Sequence, residues 1–123
     1  MSTASGICLR SGDTFETIYC HHDGYPEHML PILRGNYNSF ELASKLISFG
    51  DASSIAPKLE AAEGESKKDV CVFYHRDRGE DWISCRSCCY LRTELFKQTA
   101  FEFVYIFEDG QWNAYAGGKL LHC

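Results

Sequence analysis

The chain has 123 residues, 45% hydrophobic and 14% aromatic, and a formal net charge of −5. This length fits one domain with one hydrophobic core, and the composition excludes global disorder. The acidic balance disfavours direct nucleic-acid binding, which runs on Lys and Arg contacts to phosphate, and no apolar run approaches the ~18 residues of a membrane-spanning helix.

Met1 to Gly6 carries no basic region followed by an apolar one, so no secretory signal is expected and a cytoplasmic protein is. The chain has seven cysteines. An odd number without a signal peptide argues against a disulfide framework, and Cys20 and Cys71 fall within apolar strand patterns as buried thiols.

Residues 5–10 and 14–20 read as two strands joined by Ser11-Gly12-Asp13, a β-hairpin, with Phe15, Ile18 and Cys20 approximating one face. Asp23-Gly24 breaks the strand. Tyr25-Pro26 opens a helix with proline in its first turn, Met29, Leu30, Ile32 and Leu33 follow at helical spacing, and Gly35-Asn36 closes it. Pro31, inside this helix, is expected to kink or shorten it. Ser39 is the N-cap of a second helix, whose apolar stripe is Phe40, Ala43, Leu46 and Ile47 and whose end is marked by Gly50.

Residues 51–57 read as a loop or short turn of helix, and 60–69 as a mobile surface loop. Val70 to His75 is the strongest single-strand pattern. Arg76 to Asp81 follows as a charged turn, Trp82-Ile83-Ser84 as a short returning strand, and Cys88 to Gln98 as a helix with Leu91 and Leu95 on one face. Phe101 to Phe107 alternates like a half-buried strand. Glu108-Asp109-Gly110-Gln111 is a tight turn, and Trp112 to Tyr115 pairs back. The expected fold is a single α+β domain over residues 1–123. Its antiparallel or mixed sheet is built from N- and C-terminal hairpins plus a central strand, with about three helices on one face.

Three groups could carry chemistry. In Cys20-His21-His22-Asp23, a cysteine near histidine could form a nucleophile–base pair, giving a small Cys/His-dependent enzyme with His75 as a further partner. Consecutive strand residues point to opposite faces, however, and the same residues suit a turn that joins strand to helix. Cys85-Arg86-Ser87-Cys88, with Cys89 beside it, has the spacing of half a zinc site; no second C-x-x-C follows and His122 and Cys123 sit at the terminus, so two of the upstream histidines would have to complete it, giving a zinc-stabilised interaction module. A redox role for the same pair would want the first cysteine at a helix N-terminus after a strand. In Tyr74 to Trp82, His75 and Asp77 could act as acid and base, or the run could be a solvated turn, with Trp82 beside charges as an interface anchor. No phosphate loop, nucleophile elbow or metalloprotease motif is present, and no cofactor is expected.

Tyr19-Cys20-His21-x-Asp23-Gly24-Tyr25-Pro26, Gly50-Asp51-x-Ser53-Ser54-Ile55, Tyr74-His75-Arg76-Asp77-Arg78-Gly79-Glu80 and Val104-Tyr105-Ile106-Phe107-x-Asp109-Gly110-x-Trp112 together resemble a family of small phage- and prophage-encoded proteins. The resemblance covers most of residues 15–115. Position 22 holds His where the family pattern has Trp. It implies a protein of the bacterial host cytoplasm. Small acidic phage proteins of this kind include inhibitors of host defence, among them anti-CRISPR proteins that bind stoichiometrically. By that analogy the expected partner is a host defence protein, a CRISPR type I effector subunit or its recruited helicase-nuclease. An acidic surface suits docking onto a basic one, including one that normally holds nucleic acid. The residues expected to make it are Asp77, Arg78, Glu80, Asp81, Trp82, Glu108 and Asp109.

Overall fold

Two hairpins meet in parallel at the middle of the molecule. The computed structural model describes residues 3–65 and 68–121. β1 (Ser5–Ser11) turns at Gly12 into antiparallel β2 (Thr14–Cys20), and β6 (Phe103–Glu108) turns at Asp109-Gly110 into antiparallel β7 (Gln111–Ala116). Both residues of the second turn have positive φ, 52° and 77°, the geometry that matches the twist of the flanking strands. β1 pairs with β6 in parallel, Ile7 opposite Tyr105, which makes the sheet mixed. Two-residue β8 (Lys119–Leu120) extends β7 through Gly117-Gly118.

On the other side, β2 carries three short strands. β3 (Ala52–Ser54) pairs in parallel beyond Cys20, β4 (Val72–Phe73) lies outside β3, and β5 (Cys88–Leu91) pairs with Thr14 to Thr17. The order is β4-β3-β2-β1-β6-β7-β8.

Strand alternation divides the apolar residues between two faces. Ile7, Leu9, Ile18, Cys20, Tyr105, Phe107, Trp112 and Ala114 face α1 (Pro26–Asn36) and α2 (Phe40–Ser48), which contribute Met29, Leu30, Leu33, Ala43, Leu46 and Ile47. Cys8, Phe15, Val104, Ile106 and Tyr115 face the opposite way and are covered by Leu95 of the one-turn helix α5 (Arg92–Leu95). Trp112 is fully buried, and its indole N–H donates to the Tyr37 carbonyl at 2.9 Å. Two further short helices, α3 (Tyr74–Arg78) and α4 (Trp82–Cys85), sit beyond β4.

The α+β class and both hairpins agree with the sequence reading, as do the Ser39 cap, which accepts from the Leu42 N–H at 3.1 Å, and the Gly50 stop. Several details differ. Phe15 lies on the face opposite Ile18 and Cys20, as a period of two requires. Pro31 stands within a helix that continues to Asn36. Phe40, at the first position of its helix, is exposed while the other three stripe residues are buried. β6 is buried on both faces, because it is an interior strand. Among the described residues there are five helices, with α1 and α2 on one face and α5 on the other, and Lys119 and Leu120 form a strand.

Residues 51–57 include β3 because β2 offers them an open edge. The Val70 to His75 strand shrinks to two residues at an edge of the sheet. There the Asp77 carboxylate accepts the Phe73 N–H at 2.8 Å and begins α3. Trp82 to Cys85 is helical because Asp81 caps it, accepting from the Ser84 N–H at 3.2 Å. Cys88 to Leu91 is strand rather than helix because the first half of β2 needs a partner. The expected loop at 60–69 is without helix or strand where it is described, and two of its residues fall outside the described set.

Candidate functional site

At the N-terminal cluster, Cys20 points into the main core. Its thiol donates to the His22 carbonyl at 3.4 Å, and burial pushes its pKa up to about 12, leaving no thiolate near neutral pH. His21 turns to the opposite face, hydrogen-bonded through Nδ1 to the Tyr19 hydroxyl at 2.7 Å and edge-on to His22. Asp23 occupies a left-handed turn with φ 56°. Gly24 follows with no room for a side chain, since a Cβ there would lie 2.6 Å from Ser5 Oγ. The Gly24 carbonyl accepts from the Tyr105 hydroxyl at 2.5 Å. The cluster therefore links the first hairpin to α1 and β6, and the hydrogen bond of the thiol goes to a backbone carbonyl.

The cysteine triplet is likewise dispersed. Cys85 is buried at the end of α4, where desolvation raises its pKa and the carboxylates of Glu80, Asp51 and Asp81 raise it further. Cys88 and Cys89 are exposed on β5 and, as strand neighbours, point apart. Among the described residues no three His, Cys, Asp or Glu side chains gather in a way that could hold a metal ion. His122 and Cys123 lie outside the described residues.

The residues expected at a partner surface fall into two groups at opposite ends of the sheet, because Cys20 and Ala52 share one end and Arg10, beside Glu108, marks the other. Glu108 is turned inward. Its carboxylate accepts from the Tyr115 hydroxyl and from Asn113 Nδ2 at 3.2 Å, with the guanidinium groups of Arg10 and Arg92 at 3.6 and 3.8 Å. Burial, first, and then the hydrogen bond to Glu108 raise the Tyr115 pKa. Asp109 is exposed at the neighbouring turn.

The other group, 77–82, is assembled around Trp82. Gly50 has φ +82°, and a Cβ there would lie 2.5 Å from the Cys85 carbonyl oxygen and 3.0 Å from the Trp82 ring. The glycine thus lets α4 lie directly on the corner between α2 and β3, and the Asp51 N–H fixes it there by donating to the Cys85 carbonyl at 2.7 Å. Held this way, Trp82 remains 39% exposed and Ile83 71% exposed. The His75 ring packs beside Trp82, centroids 5.2 Å apart, and the His75 Nδ1 is hydrogen-bonded to the Glu80 carbonyl at 2.8 Å. Ser48, Phe49, His75, Arg76 and Trp82 line an open cleft of about 500 Å³.

The charges around this cleft are not equivalent. Arg76 lies over the Phe49 and Phe73 rings, and its guanidinium donates to the carbonyls of Leu59 at 2.6 Å and Cys71 at 2.9 Å and to Asp77 at 3.0 Å. Arg78 lies over Tyr74 and donates to Ser53 Oγ at 3.3 Å. The Asp77 carboxylate accepts from the Arg76 guanidinium and from the Phe73 N–H. Asp81 uses Oδ2 for the α4 cap. Glu80 and Asp81 are both exposed and immediately precede Trp82 in the sequence. Sequence reasoning named Trp82, Glu80 and Asp81 as expected partner residues and did not name Gly50, Phe49 or Ile83 among them; these three come beside Trp82 only when α4 folds against α2.

Among the described residues no helix is long and apolar enough to cross a membrane. No family model, curated protein or solved structure matches the chain.

Proposed function

We propose that the protein acts by stoichiometric binding, as a phage-encoded inhibitor of bacterial defence. Its target is a type I CRISPR effector complex or the helicase-nuclease that complex recruits. One observation carries the binding reading: Trp82 and Ile83 are exposed on α4, which a 2.7 Å hydrogen bond ties to Asp51, and exposed Glu80 and Asp81 precede them on a chain of net charge −5. Aromatic anchors with a charged rim are the arrangement of an interface hot spot, and an acidic rim steers the molecule toward a basic partner. The phage resemblance supplies the choice of target. The target's basic nucleic-acid or nuclease-docking surface would be covered in the complex.

The test is capture on the immobilised protein of a purified type I effector complex and, separately, of its helicase-nuclease. A complex at micromolar concentrations, weakened by Trp82→Ala and by Glu80→Lys, is the expected result. No complex with either component would remove the assignment, and a complex indifferent to both substitutions would move the interface elsewhere.

A further inference from the structure

The end of the sheet away from Trp82 carries a cleft of different charge. It is an open recess of about 230 Å³ between the β1–β2 turn and the start of α5. The charged residues that line it are Arg10, Arg92 and Asp13, two cations and one carboxylate. We propose that this recess binds the phosphate group of a small phosphate monoester, with both guanidinium groups on the phosphate oxygens and the organic part against Leu91 and Phe15. The site is separate from the surface around Trp82 and stands or falls independently of the partner named above.

Two guanidinium groups from distant parts of the chain meet here. Arg10 Nη1 lies 3.6 Å and Arg92 Nη1 lies 3.8 Å from the same atom, Glu108 Oε1. Neither distance is that of a hydrogen bond. The other Glu108 oxygen already accepts from the Tyr115 hydroxyl and from Asn113 Nδ2. One buried carboxylate thus sits between two cations and satisfies the N–H edges of neither. A second anion at the recess would reach those edges, and a phosphate monoester carries about −1.5 to −2 near neutral pH.

Both cations are positioned before a ligand arrives. Arg92 lies over the rings of Phe15, Phe96 and Tyr115, at 5.7, 5.3 and 5.4 Å from their centroids. Arg10 donates from Nε to the Gly12 carbonyl at 3.2 Å, which fixes the plane of its guanidinium. Side chains already in place lose less freedom on binding. Thr93 adds an exposed hydroxyl to the same recess. Donors on three separate side chains suit the diverging oxygens of a tetrahedral anion better than the flat edge of a carboxylate. Leu91, 51% exposed, offers apolar surface that an organic group would cover. Asp13 acts against the anion, and its removal therefore gives the test an effect of opposite sign.

Backbone amide NMR of the folded chain near neutral pH tests the site, with phenyl phosphate, inorganic phosphate and acetate each titrated at constant ionic strength. Phenyl phosphate should shift the Arg10, Gly12, Arg92 and Thr93 signals together and saturate in the low millimolar range. Inorganic phosphate should bind at least about twofold more weakly, since it leaves Leu91 uncovered, and acetate at least about threefold more weakly. Arg10→Gln and Arg92→Lys should each weaken phenyl phosphate about three- to tenfold. Asp13→Asn should strengthen it about two- to fivefold. Arg10 is 44% exposed, so its variant keeps the test decisive even where Arg92→Lys disturbs the rings beneath it.

Shifts that do not saturate, or that sodium chloride reproduces at the same ionic strength, would reduce the recess to an adventitious ion only and overturn the site. Undiminished binding by Arg10→Gln, or weaker binding by Asp13→Asn, would overturn it as well. Inorganic phosphate or acetate binding as tightly as phenyl phosphate would reject the monoester.

Discussion

Replacing Gly50 by alanine tests how the exposed indole is held. At φ +82° an L-residue carries a strain of about 1–2 kcal/mol. The added Cβ would also sit 2.5 Å from the Cys85 carbonyl oxygen, so α4 must move, and the 2.7 Å bond from the Asp51 N–H to that carbonyl is stretched or lost. A net hydrogen bond contributes about 1 kcal/mol, giving a total near 2–3 kcal/mol. Gly79→Ala is the control, because its φ is +67° but nothing lies within 4 Å of a Cβ there. It should show the backbone strain alone, about 1–2 kcal/mol. Urea unfolding measures both variants, and acrylamide quenching reports whether Trp82 has swung outward. If Gly50→Ala costs no more than Gly79→Ala and leaves Trp82 access unchanged, the close approach of α4 to this corner is not what positions the ring.

Two further predictions concern the second face of the sheet and the buried thiols. Glu108→Ala should destabilise by about 2–3 kcal/mol, since it strands the Tyr115 hydroxyl in the interior, whereas Glu108→Gln keeps an acceptor and should cost less than about 1 kcal/mol; an alanine variant within 0.5 kcal/mol of the parent in urea, roughly the scatter of such measurements, would rule out a structural role for the carboxylate. Cys8 and Cys20 are each raised from 9.0 to about 12 by burial, so the folded state holds their protons longer than the unfolded state does. The stability this gives is fully present below pH 9 and is lost as pH rises toward 12, at up to about 1.4 kcal/mol per pH unit per thiol. Cys8→Ala should flatten the alkaline slope of unfolding free energy, and an unchanged slope would contradict the burial account.

Local chemistry made the hairpins and α2 legible. Gly12 and Asp109-Gly110 supply positive φ at the turns, Ser39 caps, and Gly50 stops. The short elements were not legible because their partners lie far away in sequence. Ala52-Ser53-Ser54 has no strand pattern of its own and becomes one where β2 offers an open edge. Cys88 to Leu91 has helical spacing to Leu95, yet pairing with Thr14 to Thr17 determines its conformation. The Val70 to His75 run has strong strand propensity but loses its last residues to the Asp77 carboxylate. At the site, an exposed tryptophan beside acids could be read directly from residues 80–82. That Glu108 faces inward depends on the parity of β6, and that Gly50 supports Trp82 depends on a contact across 32 positions of sequence.

The parallel seam between β1 and β6 also bears on how the protein is made. Residues 5–9 wait for residues 103–107, so the first hairpin leaves the ribosome long before the strand that completes its other edge. During that interval β1 presents an open row of backbone groups, and the α1 and α2 side of the hairpin lacks the Tyr105 and Trp112 rings that fill the core. Pairing across so long a span slows folding and leaves the nascent edge open to other strands. The seam can close only after residues 103–107 have been made, and the tight turn between β6 and β7 lets those two strands pair with each other first.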